Sequence, residues 1–187
     1  MNNIPKIRYP QFKDPWEQRK CGDVLEESRI KGHSGDIAKK LTVKLWGKGV
    51  VAKNDSGSAA TQYFTRRAGQ FIYSKLDFLN SAFGIIPDEL DNYESTADLP
   101  SFDYVGVNPH FLLNTVIQPS FYLKNGMIAD GSRKAKRIHV NTFLEMPIYL
   151  PSQEEQEKIA TFLECLNQTI TLHRRKYQDD GNLIKVM

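Results

Sequence analysis

One repeat near the C-terminus constrains the fold more than any other feature of this chain. Ile159, Leu163, Leu166, Ile170, His173 and Tyr177 recur at steps of 4, 3, 4, 3 and 4. That spacing lays them along one seam of an α-helix, the heptad pattern of helices that pair. Ser152 and Glu155 stand where an S-x-x-E capping box would satisfy orphan amide groups at the helix start. A helix from Gln153 to about Tyr177 spans about 38 Å at about 1.5 Å per residue. Phe162 and Leu172 widen its apolar face. Such a helix either packs on its own domain or projects toward a partner, and the spacing leaves both open. Asp179-Asp180-Gly181 is expected to break it.

The preceding residues read as a mixed α+β domain. Pro5, Pro10 and Pro15 keep the opening irregular, and Trp16 is expected to anchor it. Gly22 to Ser28 reads as a short helix. Leu41–Leu45, Val50–Ala52, Gln62–Thr65, Phe71–Ser74, Ala82–Ile86 and Tyr93–Thr96 read as short strands. Asn54 to Thr61 is a polar loop. Asn108-Pro109 predicts a helix start, with Asn108 as cap and Pro109 at the first helical position. A second short helix is expected after Pro119, turns at Asn125-Gly126 and Asp130-Gly131, and strands at Arg137–Val140 and Met146–Leu150.

Charge is unevenly placed. The net charge is only +3, but eight basic residues between Lys31 and Arg67 face two acidic ones. No Lys or Arg lies between Leu76 and Leu123, where seven acidic residues do. Lys124, Arg133, Lys134, Lys136 and Arg137 then meet only Asp130. A fold that joins the two basic segments presents a positive face to a polyanion; otherwise they form a solvated, mixed-charge surface.

Signals of catalysis are weak. The chain has no G-x-x-x-x-G-K-[ST] loop, no G-x-G-x-x-G and no G-x-S-x-G elbow. Asn108-Pro109-His110-Phe111 departs from the N-P-P-[YF] loop of adenine methyltransferases and follows no cofactor-binding glycine loop. His33, His110, His139 and His173 lack metal-ligand spacing. Cys21 and Cys165, the two cysteines, fit a reducing compartment, and no stretch approaches the roughly 18 apolar residues of a membrane span. A cytoplasmic protein without membrane contact is expected.

Several segments resemble one family. Pro5-Lys6-Ile7-Arg8-Tyr9-Pro10-Gln11-Phe12 with Trp16-Glu17, Gly69 to Asp77, Ala82 to Pro87, Gly131 to Ile138, and Leu150 to Ile159 together resemble the specificity (S) subunits of type I restriction–modification systems. The combination is more specific than any one piece. The resemblance implies an α+β target recognition domain with a mixed, twisted sheet over 1–150. A conserved helix able to pair in a coiled coil follows over 151–178, and a tail over 179–187. It implies a non-catalytic reader of double-stranded DNA that directs adenine methylation and restriction by partner methyltransferase (M) and restriction (R) subunits. Cofactors would then be absent from this chain, with S-adenosylmethionine, ATP and Mg²⁺ in the partners. Family members normally carry two recognition domains. This chain has one, so the resemblance implies that it would read one half of a bipartite site and pair with a second copy or another half-subunit. The alternatives are a truncated or silent cassette, and a protein-interaction module acting through its heptad helix.

Under the DNA-reading view, Lys39, Lys44, Lys48, Lys53, Lys134 and Lys136 are candidates for phosphate contact. Arg133 and Arg137 offer planar forks for guanine. Asn54, Ser56, Ser58, Thr61 and Gln62 suit base edges, and Arg66 and Arg67 suit backbone contact or a solvated turn. The pairing face, for a second copy or an M subunit, is the seam of Ile159, Leu163, Leu166, Ile170, His173 and Tyr177.

Overall fold

The computed structural model describes residues 8–127 and 137–184, with side chains of the last helix to residue 174. Its strands are β1 (Glu17–Lys20), β2 (Leu25–Ser28), β3 (Lys31–Ser34), β4 (Lys40–Val43), β5 (Val50–Lys53), β6 (Gln62–Thr65), β7 (Phe71–Tyr73), β8 (Phe83–Ile85), β9 (Glu94–Ser95), β10 (Ser101–Tyr104) and β11 (Pro147–Leu150). Its helices are α1 (Pro109–Val116), α2 (Pro119–Gly126), α3 (Val140–Leu144) and α4 (Gln153–Ile184). The fold is α+β, with a long C-terminal helix.

Three sheets share the strands in the orders β1-β11, β2-β10-β7-β8 and β3-β6-β9-β4-β5. The third is mixed, because β4 runs parallel to β9 while the other pairs run antiparallel. Phe71-Ile72-Tyr73 shows how two cores share one strand. Side chains alternate along a strand, so Phe71 and Tyr73 enter an aromatic core with Phe78, Phe83, Phe102 and Phe143. Ile72 enters the second core with Leu41, Val43, Val50, Ile86 and Leu90. Tyr73 and Phe143 lie 4.6 Å apart between ring centroids, and the Tyr73 hydroxyl donates to the Ile138 carbonyl at 3.0 Å.

The expected α1 start holds, since the Asn108 carboxamide oxygen accepts from the amides of His110 and Phe111, each at 3.0 Å. Trp16 packs edge-on against Phe111 at 5.7 Å. Other elements differ from the sequence reading. Gly22–Ser28 is not a helix. A 3-10 turn over Cys21–Asp23 leads into β2, and pairing of Leu25–Ser28 with β10 outweighs the helical preference of Leu-Glu-Glu. Arg137–Val140 is not a strand. Arg137 makes a single bridge and α3 begins at Val140, with Val140 and Phe143 in the aromatic core. Asn125-Gly126 is the last turn of α2 rather than a turn pair. A Cβ on Gly126 would collide there with the Leu79 side chain. Asp130-Gly131 lies outside the described residues.

The helix differs at both ends. Ser152 Oγ accepts from the Glu155 amide at 3.4 Å, but Glu155 does not return to complete the box. Its buried carboxylate takes two hydrogen bonds of 2.6 Å from Arg8 instead. Asp179-Asp180-Gly181 does not break α4, whose backbone continues to Ile184; Gly inside a helix costs only about 1 kcal/mol relative to Ala. Near the start, Gln156 Oε1 accepts from the Asn108 amide at 2.9 Å. β11 pairs with β1 just before the helix. The helix root is therefore fastened to the domain on several sides.

Candidate nucleic-acid interface

The five-stranded sheet buries one face, because Leu41, Val43 and Val50 enter the second core. Alternation puts Lys40 and Thr42 on the opposite, outer face. Lys40 stands directly across from Lys53. The Lys40 ammonium donates to the Asp55 carbonyl at 2.6 Å and lies 5.9 Å from the Tyr63 ring centroid. Lys53 pairs with the Asp55 carboxylate at 2.6 Å. That hydrogen bond raises the Lys53 pKa and lowers that of Asp55. Lys53 is half exposed, whereas Lys40 is buried.

The polar loop begins beside this pair. Asn54, Ser56, Ser58 and Thr61 are exposed. The Thr61 carbonyl accepts from the Gly35 amide at 2.9 Å. Gly57 approaches the Gly35 carbonyl so closely that a Cβ on Gly57 would collide with it, so this backbone contact seats the loop. Gln62 is exposed, but its amide donates to the carbonyls of Gly32 at 3.0 Å and Tyr63 at 2.7 Å. It acts first as a clamp on β3 and β6.

Lys39 is exposed just before β4, and its carbonyl accepts from the Glu94 amide at 2.7 Å. Lys44 and Lys48 are exposed on the β4–β5 turn. That turn carries Trp46 and Gly47 at φ 62 and 63°. It is held by the Trp46 amide donating to the Asn80 carbonyl at 2.8 Å. Arg67 is exposed as well.

Arg66 does not belong to this surface. It is buried, and it donates to Ser95 Oγ at 2.7 Å, the Ser28 carbonyl at 3.0 Å and Ser101 Oγ at 3.1 Å. Burial lowers its pKa to about 10. The residue is structural because strand alternation from Phe64 turns it inward, over the Phe64 ring.

Arg133, Lys134 and Lys136 lie outside the described residues. Arg137 is half exposed, with its guanidinium 3.5 Å from the Asp98 carboxylate. Beside it the Ile138 amide donates to the Lys75 carbonyl at 2.9 Å. Burial lowers the Lys75 pKa, and the charges of Arg29 and Arg137 add to that shift. Arg29, Arg66 and Lys75 line a small cavity of about 90 Å³ together with Glu27, which pairs with Arg29 at 2.8 Å, and Arg137 lies near enough to Lys75 for their charges to interact. Arg29 precedes Lys31 of β3 by two residues, so this group brings Arg137, the described end of the second basic segment, toward the start of the first. Lys75 stood alone at the edge of the acidic span, which gave it no signal.

The helix seam divides along its length. Ile159 and Leu163 pack partly against the domain, with Ile159 on the aromatic core. Leu166 and Ile170 are 41% and 48% exposed, and His173 is exposed beside them. Phe162 is exposed on the same side of the helix. The side chain of Tyr177 lies outside the described residues. The inner half of the seam therefore packs on its own domain, and the described outer half is left exposed.

Among the described residues no group of His, Cys, Asp and Glu could hold a metal ion. The Cys21 thiol is buried and desolvation pushes it up to about 12, so it is no nucleophile. No helix among these residues is long and apolar enough to cross a membrane.

Residues 107–179 match the family described as the type I restriction modification DNA specificity domain. The backbone is similar to that of the HsdS subunit from Thermoanaerobacter tengcongensis, with a TM-score of 0.68 and 18% identity over 98% of this chain. It is similar to a chain of a type I R-M system solved for its assembly and conformational transition, with a TM-score of 0.56 and 15% identity over 91% of this chain. It is also similar to the S subunit of a type I system from M. genitalium, with a TM-score of 0.56 and 10% identity over 89% of this chain. At these identities the likeness is one of fold. The chain spans 50% of the first structure and 42% of each of the others. No curated protein matches it.

Proposed function

We propose, for a chain that belongs to the specificity family of type I restriction–modification systems, that its domain over 1–150 reads one half of a bipartite site in double-stranded DNA. The helix sets the distance to a second reader. The family is non-catalytic, and S-adenosylmethionine and ATP are bound by the M and R subunits. In this reading the chain directs those subunits to DNA and carries no cofactor of its own, Mg²⁺ included. The observation that carries the proposal is the specificity-domain match, which runs from α1 through β11 into the helix, across the junction of domain and spacer.

Pairing through the outer helix follows from its exposed stripe. Leu166 and Ile170 are left exposed, whereas Ile159 and Leu163 nearer the helix root are partly buried. A symmetric pair would read an interrupted palindrome, since protein symmetry imposes site symmetry.

The test is a genome-wide map of N6-methyladenine in a host carrying this gene with its neighbouring M gene, against deletion of this gene alone. A motif lost on deletion is the expected result, and an interrupted palindrome would identify a symmetric pair. Unchanged methylation would overturn the reading and favour a protein-interaction module built on the same stripe.

A further inference from the structure

β3 carries an irregularity that neighbouring residues hold in place. Its register with β6 shifts between Lys31 and Ser34, at Gly32-His33. A bulge of this kind re-aims a side chain, and bulges are frequent beside functional sites. From β6 the Gln62 amide clamps the bulge through the Gly32 carbonyl. From β9 the Glu94 carboxylate accepts from the His33 amide at 2.7 Å and meets His33 Nδ1 at 2.5 Å. A Cβ on Gly32 would collide with that carboxylate, so only glycine lets Glu94 approach.

The pair is asymmetric. The Glu94 side chain is 4% exposed and that of His33 is 65% exposed. A buried carboxylate aimed at one edge of an exposed imidazole fixes the ring's orientation and keeps a hydrogen on Nδ1. The other edge, with Nε2, then faces outward, and no hydrogen bond among the described residues engages it. Core packing does not need such a ring, and a solvated surface histidine does not need a buried carboxylate behind it.

We infer that His33 is a DNA-contact residue, donating from Nε2 as an imidazolium to an acceptor on the duplex, and that Glu94 is its positioning residue. The inference rests on the DNA-reading proposal above. The acceptor is a phosphate oxygen or a guanine O6/N7 edge, both of which take an N–H donor. Lys31 on the same strand is exposed and supplies positive charge for either.

The experiment uses the full chain and a pool of random-sequence 30-base-pair duplexes, enriched for binding by the wild type. Affinity for the enriched duplex and for the starting pool is then measured for His33→Ala, Glu94→Gln and the double variant, with melting curves as a check on folding. His33→Ala is expected to weaken binding about tenfold, and the double variant to bind no more weakly than His33→Ala alone. A phosphate acceptor would show as equal loss on both duplex sets and a salt slope smaller by about one. A guanine acceptor would show as loss confined to the enriched duplex.

Wild-type affinity in His33→Ala would overturn the inference while leaving the DNA reading intact. Multiplicative losses in the double variant would remove the positioning role of Glu94. If Glu94→Gln does not fold, the exposed His33→Ala decides the contact by itself. Failure of the wild type to enrich any duplex would overturn the DNA reading instead, and the two failures are thus distinguishable.

Discussion

The guanidinium of Arg66 donates from Nε to Ser95 Oγ at 2.7 Å, inside the domain rather than on its surface. The same side chain ties β6 to the end of β2 through the Ser28 carbonyl and to β10 through Ser101. It therefore joins the four-stranded sheet to the five-stranded one.

Arg66→Ala would leave the carbonyls of Ser28 and Thr96 and the hydroxyls of Ser95 and Ser101 without this donor and open a cavity. We expect a loss of about 3 kcal/mol, somewhat offset because the buried charge is itself costly. Urea unfolding measures it. DNA affinity of the variant, measured where it remains folded, should match the wild type. A stable variant with weakened DNA binding would return Arg66 to the reading surface.

Cys21 and Cys165 should differ sharply as thiols. Cys165 is exposed on α4 and Cys21 is buried. One thiol per chain should react quickly with a disulfide reagent in the native state, and the second only in denaturant. The Cys21 pKa also sets a stability trend. It stands near 12 in the folded chain against 9.0 for an ordinary thiol. Between those values the unfolded chain has released a proton that the folded chain keeps, so stability falls as pH rises from about 9 toward about 12. The slope is about 1.4 kcal/mol per pH unit for this one group. Urea midpoints at pH 9 and 10.5 should therefore fall further in the wild type than in Cys21→Ala, by about 2 kcal/mol in stability. Equal falls would assign the alkaline loss to other groups.

Much of this fold was legible because local chemistry decided it. Asn108-Pro109 caps α1 whatever surrounds it, and the apolar runs at Phe71 and Ala82 could hardly be anything but buried strands. The errors fall where distant partners decide. Leu25–Ser28 becomes a strand only because β10 lies beside it, and Glu155 leaves its capping role because Arg8 reaches it from the other end of the chain. The candidate site was legible as composition more than as geometry. Exposed Lys39, Lys44, Lys48 and Lys53 were found from charge runs. Arg66 was misplaced because nothing in the Arg66-Arg67 pair says which one the strand turns inward. His33 and Glu94 are 61 residues apart, so their pairing had no sequence signal.

The outer helix offers a separate test. Leu166→Asp with Ile170→Asp places two charges on a stripe that the domain leaves uncovered. The melting temperature of the domain should hardly move, while any self-association measured by sedimentation equilibrium should weaken by a factor of about 100 or more. Leu163→Ala should do the reverse, lowering stability because Leu163 is partly buried at the helix root. If the double aspartate variant associates like the wild type, the stripe is not the pairing surface.

The last contrast concerns two lysines of the same sheet. Lys48 is exposed at the tip of the β4–β5 turn, with no acidic partner among the described residues. Lys53 already spends its charge on Asp55 at 2.6 Å. A phosphate that binds Lys48 gains the full release of a counterion, whereas one that binds Lys53 must compete with a carboxylate in place. Lys48→Ala should therefore lower the slope of log affinity against log salt by about one, equally for all sequences. Lys53→Ala should change it less, and Asp55→Asn should raise affinity by freeing Lys53, while Lys40 stays on the Asp55 backbone carbonyl. If Lys53→Ala costs as much as Lys48→Ala, the Asp55 pair opens on binding. If neither changes the slope, DNA does not approach this side of the sheet, and the reading surface moves to the group of Arg29, Lys75 and Arg137.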